Sequence, residues 1–271
     1  MISFLTDTVN TIHIFQEELT SEKKFALSES AISDFGGLEC VDLSHPDLKE
    51  NPYLIGFRTR FIYFQSHWWN EEPTSKIENY LRIARMCPNL EILYYIFGLF
   101  PDESLIEILK NCPLISKICI SCGYSSDVEV IEISKWCKNL TSLSLHTEFD
   151  SQVSDIGLRA IFKECTKMES LSIYDKLNCF SNNSYSEISQ LSSLQQLYLS
   201  SDISNETFIQ IANGCKNLKS LRVQSVILSE YSFLEVGKLC PEITHLELPT
   251  YNFCSCSYLC ISKYSIDFFL R

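Results

Sequence analysis

Thirteen cysteines and five histidines are the side chains of this 271-residue chain best suited to nucleophilic, redox or metal chemistry. Their spacing decides whether they perform any. Cys119-x-x-Cys122 has the spacing of half a zinc site or of a redox motif. No second C-x-x-C supplies the other two zinc ligands, and Cys119 falls in an alternating apolar run that reads as a strand. Cys254, Cys256 and Cys260 alternate with serines near the C-terminus, where a capping strand is one reading and metal binding together with His245 the other. His13, His45, His67, His146 and His245 show no H-E-x-x-H spacing, and the chain contains no G-x-S-x-G, P-loop or G-x-G-x-x-G motif. The expectation is a non-enzymatic protein with no catalytic residues, metal or cofactor.

The remaining cysteines carry a different signal. Cys87, Cys112, Cys137, Cys165, Cys215 and Cys240 each open the same short pattern, with Leu191 standing in the place of a seventh, at spacings of 25, 25, 28, 26, 24 and 25 residues. CPNLEILYY, CKNLTSLSL, LSSLQQLYL and CKNLKSLRV show the template: a cysteine, then apolar residues three, six and eight positions later. FGGLECVDL at Phe35 is a weaker copy, lying 52 residues before Cys87, so a missing copy falls near Phe61 to Phe64. A constant period of this kind identifies a stack of structural repeats. The ladder cysteines are expected to be structural, because a free thiol packs as a small, buried, weakly donating group, and neither Leu191 nor Phe35 could act as ligand or nucleophile.

Elements that position these residues follow from the columns around them. Seven positions before the ladder stand Tyr80, Leu105, Val130, Leu158, Phe208 and Phe233, and four before it Ile83, Ile108, Ile133, Ile161, Ile211 and Val236. A separation of three places both columns on one helix face. Ser75-x-x-Glu78, Ser126-x-x-Glu129 and Ser184-x-x-Glu187 have capping-box spacing and predict helix starts. After each ladder position the apolar residues alternate as in a strand, with Leu143 and Leu145 on one side and Ser142 and Ser144 on the other. One helix and one strand cannot bury their apolar faces alone, so the units must stack. Helices about 10 Å wide beside strands about 4.8 Å apart force the stack to bend with the sheet inside. The predicted fold is an α/β solenoid, a horseshoe with parallel strands on the concave face and helices on the convex one. Its boundaries are a helical cap over residues 1–34, repeats over 35–250 with 44–74 degenerate, and a cap or tail over 251–271.

The unit resembles the cysteine-containing leucine-rich repeat, and VSDIGLRAIFKEC followed by TKMESLSIYD is the best copy. That subtype is characteristic of F-box and leucine-rich-repeat proteins and of relatives without an F-box. The resemblance runs over about Thr74 to Leu248, and more weakly over Ser21 to Leu43. It implies a substrate receptor that presents a protein to a cullin-RING ubiquitin ligase through an adaptor. Two departures accompany it. The family's second Cys or Asn, about three residues after the last strand position, is replaced by Gly123, Glu148, Lys176, Asp202 and Val226. The first 45 residues contain neither the Leu-Pro start nor the Trp of an F-box. A freestanding scaffold or inhibitor, with no ubiquitin role, is the other reading.

Composition narrows the partners. Lys plus Arg is 22 against 34 Asp plus Glu, a net charge of −12, which argues against nucleic acid and anionic membranes, since both require a basic footprint. No signal-peptide pattern opens the chain and no window of eighteen apolar residues spans a membrane, so the expectation is a reducing cytoplasm or nucleus. Strand alternation then names the concave residues. Tyr94, Lys117, Ser144, His146, Tyr174, Tyr198, Arg222, Gln224, His245 and Glu247 face away from the core. Tyr94, Tyr174, Tyr198 and Arg222 are the expected anchors for a protein partner, because Tyr and Arg dominate such interfaces.

Overall fold

The computed structural model describes residues 40–42, 60–65, 84–96, 102–122, 126–147, 151–175, 177–225, 227–249 and 258–262. Their strands form one ten-stranded sheet in simple sequence order: β1 Cys40–Asp42, β2 Phe61–Gln65, β3 Ile92–Ile96, β4 Lys117–Cys122, β5 Ser142–Thr147, β6 Ser170–Asp175, β7 Gln196–Ser200, β8 Ser220–Val223, β9 His245–Pro249 and β10 Tyr258–Ser262. Strands β1 to β9 pair parallel, each with its sequence neighbour. Strand β10 pairs antiparallel with β9 and occupies the sheet's end. The place of the missing repeat holds β2, so a unit without a ladder cysteine still supplies a strand.

Parallel neighbours require a crossover, and helices provide it: α1 Asp102–Asn111, α2 Asp127–Trp136, α3 Asp155–Glu164, α4 Asn182–Ser186, α5 Asn205–Gly214 and α6 Glu230–Leu239. Each buries one stripe. Leu105 and Ile108, Val130 and Ile133, Leu158 and Ile161, and Phe208 and Ile211 are all buried, as the two apolar columns predict. Phe233 is only partly buried, and Tyr80 and Ile83 lie outside the described residues. From the sheet, Leu93, Ile118, Leu143, Leu171, Leu197 and Leu221 close the same core. Each such side chain contributes roughly 1.5–3 kcal/mol by leaving water.

The ladder cysteines stitch unit to unit. Cys112 Sγ donates to the Cys87 carbonyl at 3.2 Å, Cys165 to Cys137 at 3.8 Å, and Cys240 to Cys215 at 3.5 Å. Cys215, next to the unit that has Leu191 instead, donates to Ile188 and Leu191 at 3.2 and 3.5 Å. Burial pushes the thiols of Cys112, Cys137 and Cys215 up to about 12 and those of Cys165 and Cys240 to about 11. At neutral pH these groups are protonated, and a neutral thiol is neither a nucleophile nor a metal ligand.

One helix start differs from its sequence expectation. Ser126-x-x-Glu129 begins α2, and the Glu129 carboxylate accepts the Ser126 N–H at 2.9 Å. Ser184-x-x-Glu187 does not begin a helix: the cap is Ser181, whose hydroxyl accepts the Ser184 N–H at 3.4 Å. Ser184 is buried, its hydroxyl accepting from Arg159 Nε at 3.1 Å. This unit replaces a ten-residue helix with the five residues of α4 and a 3-10 turn, Glu187–Gln190. The turn lets α5 approach so closely that a Cβ on Gly214 would overlap the Ser189 carbonyl. Ser75-x-x-Glu78 is outside the described residues.

Candidate partner-binding face

Parallel register fixes the concave side chains into rows. Tyr94, Cys119, Ser144, Ser172, Tyr198, Arg222 and Glu247 are aligned across β3 to β9, and His146, Tyr174 and Ser200 form the next row toward the strand ends. The strands carry nine of the ten expected site residues in alternating rows, and Gln224 follows directly after β8, but the ten are not equally exposed.

A continuous stack crosses the centre of this face. Ser144 Oγ and His146 Nε2 are hydrogen-bonded at 3.0 Å. The His146 ring lies flat on Tyr174, with centroids 3.9 Å apart and planes 16° apart. Tyr174 meets Tyr198 at 4.3 Å, and the Arg222 guanidinium sits 4.8 Å from the Tyr198 centroid. Arg222 Nε then pairs with Glu247 Oε2 at 2.7 Å. Between Tyr174 and Tyr198 the stack steps from one row to the other. It can do so because the smaller Ser172 and Ser200 take the alternative places on β6 and β7.

This geometry corrects the expectation for Tyr198. Only 7% exposed, it is the covered centre of the stack and holds its neighbours in place; it is not a side chain offered to a partner. Tyr174, His146 and Arg222 are partly exposed on either side of it, and the charge of Arg222 is matched by Glu247. Gln224 Oε1 accepts from Ser200 Oγ at 3.0 Å, while Lys117 and His245 are exposed toward the two ends. Tyr94 stands apart, edge-on to Phe61 at 5.5 Å, and burial, with the nearby Cys119, raises its hydroxyl above the ordinary range. Cys119 itself is buried, and that burial pushes its thiol up to about 11 despite a hydrogen bond from Ser144. Among the described residues no cluster of three His, Cys, Asp or Glu side chains could hold a metal, and Cys254 and Cys256 lie outside them.

Two further ladders escaped the sequence reading. The polar position expected after each strand is filled one residue earlier, by Thr147, Asp175, Ser201 and Ser225, all buried. Asp175 is its centre: its carboxylate accepts from Thr147 Oγ1 at 3.0 Å, Cys179 N at 2.8 Å, Phe180 N at 3.2 Å, Tyr185 Oη at 2.9 Å and Ser201 Oγ at 3.4 Å. Five donors satisfy a charge that would otherwise be too costly to bury. The second ladder runs along the helix starts. Asp127 Oδ1 accepts the Ser154 N–H at 2.8 Å, Asp155 Oδ1 that of Ser181 at 2.8 Å, Asn182 Oδ1 that of Ser204 at 2.8 Å, and Asn205 Oδ1 that of Ser229 at 2.8 Å. The recurring Ser-Asp and Ser-Asn dipeptides were its visible signal.

Comparison with solved structures agrees with this architecture. The Rad7 and Elc1 complex from yeast has a chain that superposes with a TM-score of 0.53 at 14% identity, covering 89% of this chain and 64% of that one. The TLR13–ssRNA13 complex gives a TM-score of 0.50 at 18% identity, covering 84% and 38% respectively. The chain folds as a leucine-rich-repeat solenoid. No protein-family profile matches this solenoid. Among curated proteins, the Coronatine-insensitive protein homolog 1b of Oryza sativa subsp. japonica is 26% identical over 100 residues, 36% of the solenoid chain but 17% of the rice protein. The chain thus matches a small part of that relative and less than two thirds of either structural neighbour.

Proposed function

We propose that this solenoid is a protein-recognition module that binds a partner protein on its concave face. In this reading it serves as the substrate-binding component of an SCF-type cullin-RING ubiquitin ligase, in the cytoplasm or nucleus. The observation that carries the recognition role is the stack from His146 through Tyr174, Tyr198 and Arg222 to Glu247. Its rings and guanidinium are already ordered before any partner arrives, so little side-chain entropy is lost on association. Partly exposed aromatic and Arg side chains are the types that concentrate binding energy. The ligase assignment is supported by the cysteine-containing repeat and by the likeness to the rice protein. The solenoid selects the target, and adaptor docking falls to the segment before residue 35 or to another chain.

Affinity capture of the tagged full-length chain under reducing conditions, compared with the His146→Ala, Tyr174→Ala variant, tests this. The expected result is cullin and adaptor retained by both forms, with one further protein lost from the variant alone. Absence of ligase subunits beside a partner that the variant loses would replace the ligase role with a freestanding binding module. Identical partners on both forms would remove the concave face from recognition.

A further inference from the structure

The net charge of −12 conceals a strong local imbalance. From two residues before each ladder position to five after it, where helices end and strands begin, the seven units carry ten Lys or Arg against four Glu, and Glu107, Glu132 and Glu235, each three residues before one of these lysines, reduce the excess from six to three positive charges. Of the lysines and arginines whose side chains are described, only Arg159 and Arg222 lie well away from this edge. Lys110, Lys135, Lys163 and Lys238 sit in last helical turns, where they complement the helix dipole. The opposite edge is acidic, with Asp127, Asp155, Glu206 and Glu230 in first turns.

Dipole complementation does not account for the apolar groups on the basic edge. In three successive units Met86, Leu114 and Trp136 are 38%, 47% and 36% exposed. Trp136 is held in place: Lys135 lies 5.2 Å and Lys110 5.8 Å from its ring, and its indole N–H donates to Glu132 Oε2 at 2.7 Å. An ordered, exposed indole flanked by cations is matched by a ligand that supplies both carboxylates and an apolar contact. A uniform polyanion supplies only the first, and the acidic opposite edge repels a long one.

We propose that this edge, centred on Trp136 between Lys110 and Lys135, docks an acidic segment of a partner protein that carries a bulky apolar side chain. It is a second interface, separate from the concave face, and the two fail independently. Ion pairs of Lys135 with Glu132, Lys138 with Glu164 and Lys238 with Glu235 neutralise three of these cations, whereas Lys110, Lys163, Lys167, Lys216 and Lys219 form no ion pair among the described residues and keep the edge positive.

Fluorescence anisotropy with the full chain tests the proposal, using as probes a labelled Glu/Asp peptide with one central Phe, the same peptide with Ala for Phe, its Lys-substituted counterpart, and labelled oligo(dT). The Phe-containing acidic peptide is expected to bind best and to weaken as salt rises. Lys110→Glu, Lys135→Glu should reduce its affinity on the order of tenfold or more, and Trp136→Ala should abolish the advantage of Phe over Ala. Thermal midpoints identify any variant that has lost its fold, and Lys110→Gln, Lys135→Gln, which adds no negative charge, should show a smaller loss. The His146→Ala, Tyr174→Ala variant should bind the peptide normally. No binding of the acidic peptide, equal affinity in the charge variants, indifference to Phe, or tighter binding of oligo(dT) would each overturn the proposal.

Discussion

A thiol in this ladder is chemically the opposite of a reactive cysteine. Cys112, Cys137 and Cys215 are 0–1% exposed, and their burial raises them to about 12. An unfolded chain ionises its cysteines near pH 8.5. Between those values the unfolded state releases protons that the folded state keeps. The ladder's contribution is therefore complete below about pH 8.5 and declines as pH rises toward 12, by roughly 1.4 kcal/mol per pH unit for each thiol. Urea unfolding at pH 8 and pH 10 should show a marked loss of stability at the higher value. Cys137→Ala should be less stable at pH 8, through the loss of buried volume, yet show a shallower decline. An equal decline in variant and wild type would place the alkaline sensitivity outside the ladder.

Helix starts show how an element is placed by the unit before it. The Asp155 carboxylate accepts the Ser181 N–H at 2.8 Å and its hydroxyl at 2.6 Å, which anchors the shortened α4. Burial pushes Asp155 up, but the Ser181 hydrogen bonds and the Arg159 charge outweigh it and hold the carboxyl below its ordinary value. Asp155→Ala should cost about 1–2 kcal/mol, the usual range for losing a cap interaction. Asp155→Asn should cost much less, because Asn182 and Asn205 already fill this role one and two units along. Thermal melts of the two variants decide this, and equal losses would mean that the charge matters more than the acceptor. The helices and strands themselves were legible because their apolar columns repeat: Leu158 and Ile161 before Cys165, and Leu171 and Ile173 after it, are all buried. Ser184 misled because capping-box spacing is local, whereas the true cap, Ser181, is selected by an acceptor 26 residues away. Concave positions were readable from alternation, but the burial of Tyr198 was not. It depends on which neighbours are small, Ser172 and Ser200, and on where Tyr174 and Arg222 lean. Asp175 carried no sequence signal of its role because its donors come from Thr147, Tyr185 and Ser201, in units on both sides.

At the scale of the whole molecule, the core is one continuous row of side chains in which each unit meets only its neighbours, so cooperativity is the sum of contacts between adjacent units. Most of those contacts here are leucine columns that any unit could share with any other. Asp175 is different. It joins β5 through Thr147 to its own strand β6, and through Tyr185 and Ser201 to the next unit, whose helix is shortened. Asp175→Ala would leave the Tyr185 hydroxyl and the Cys179 and Phe180 amides without their acceptor in buried or partly buried surroundings. Each unmatched buried donor costs about 1–3 kcal/mol, enough to weaken one interface well below the others. A wild-type chain with uniform coupling unfolds in one urea transition. The variant should unfold over a broader range, with a lower apparent slope, because the units on either side of the break separate. Hydrogen exchange should show amides of β5, β6 and β7 losing protection before those of β3 and β4. A single transition of unchanged slope in Asp175→Ala would show that the leucine columns alone carry the coupling, and that the buried carboxylate shapes its loop without joining the two halves.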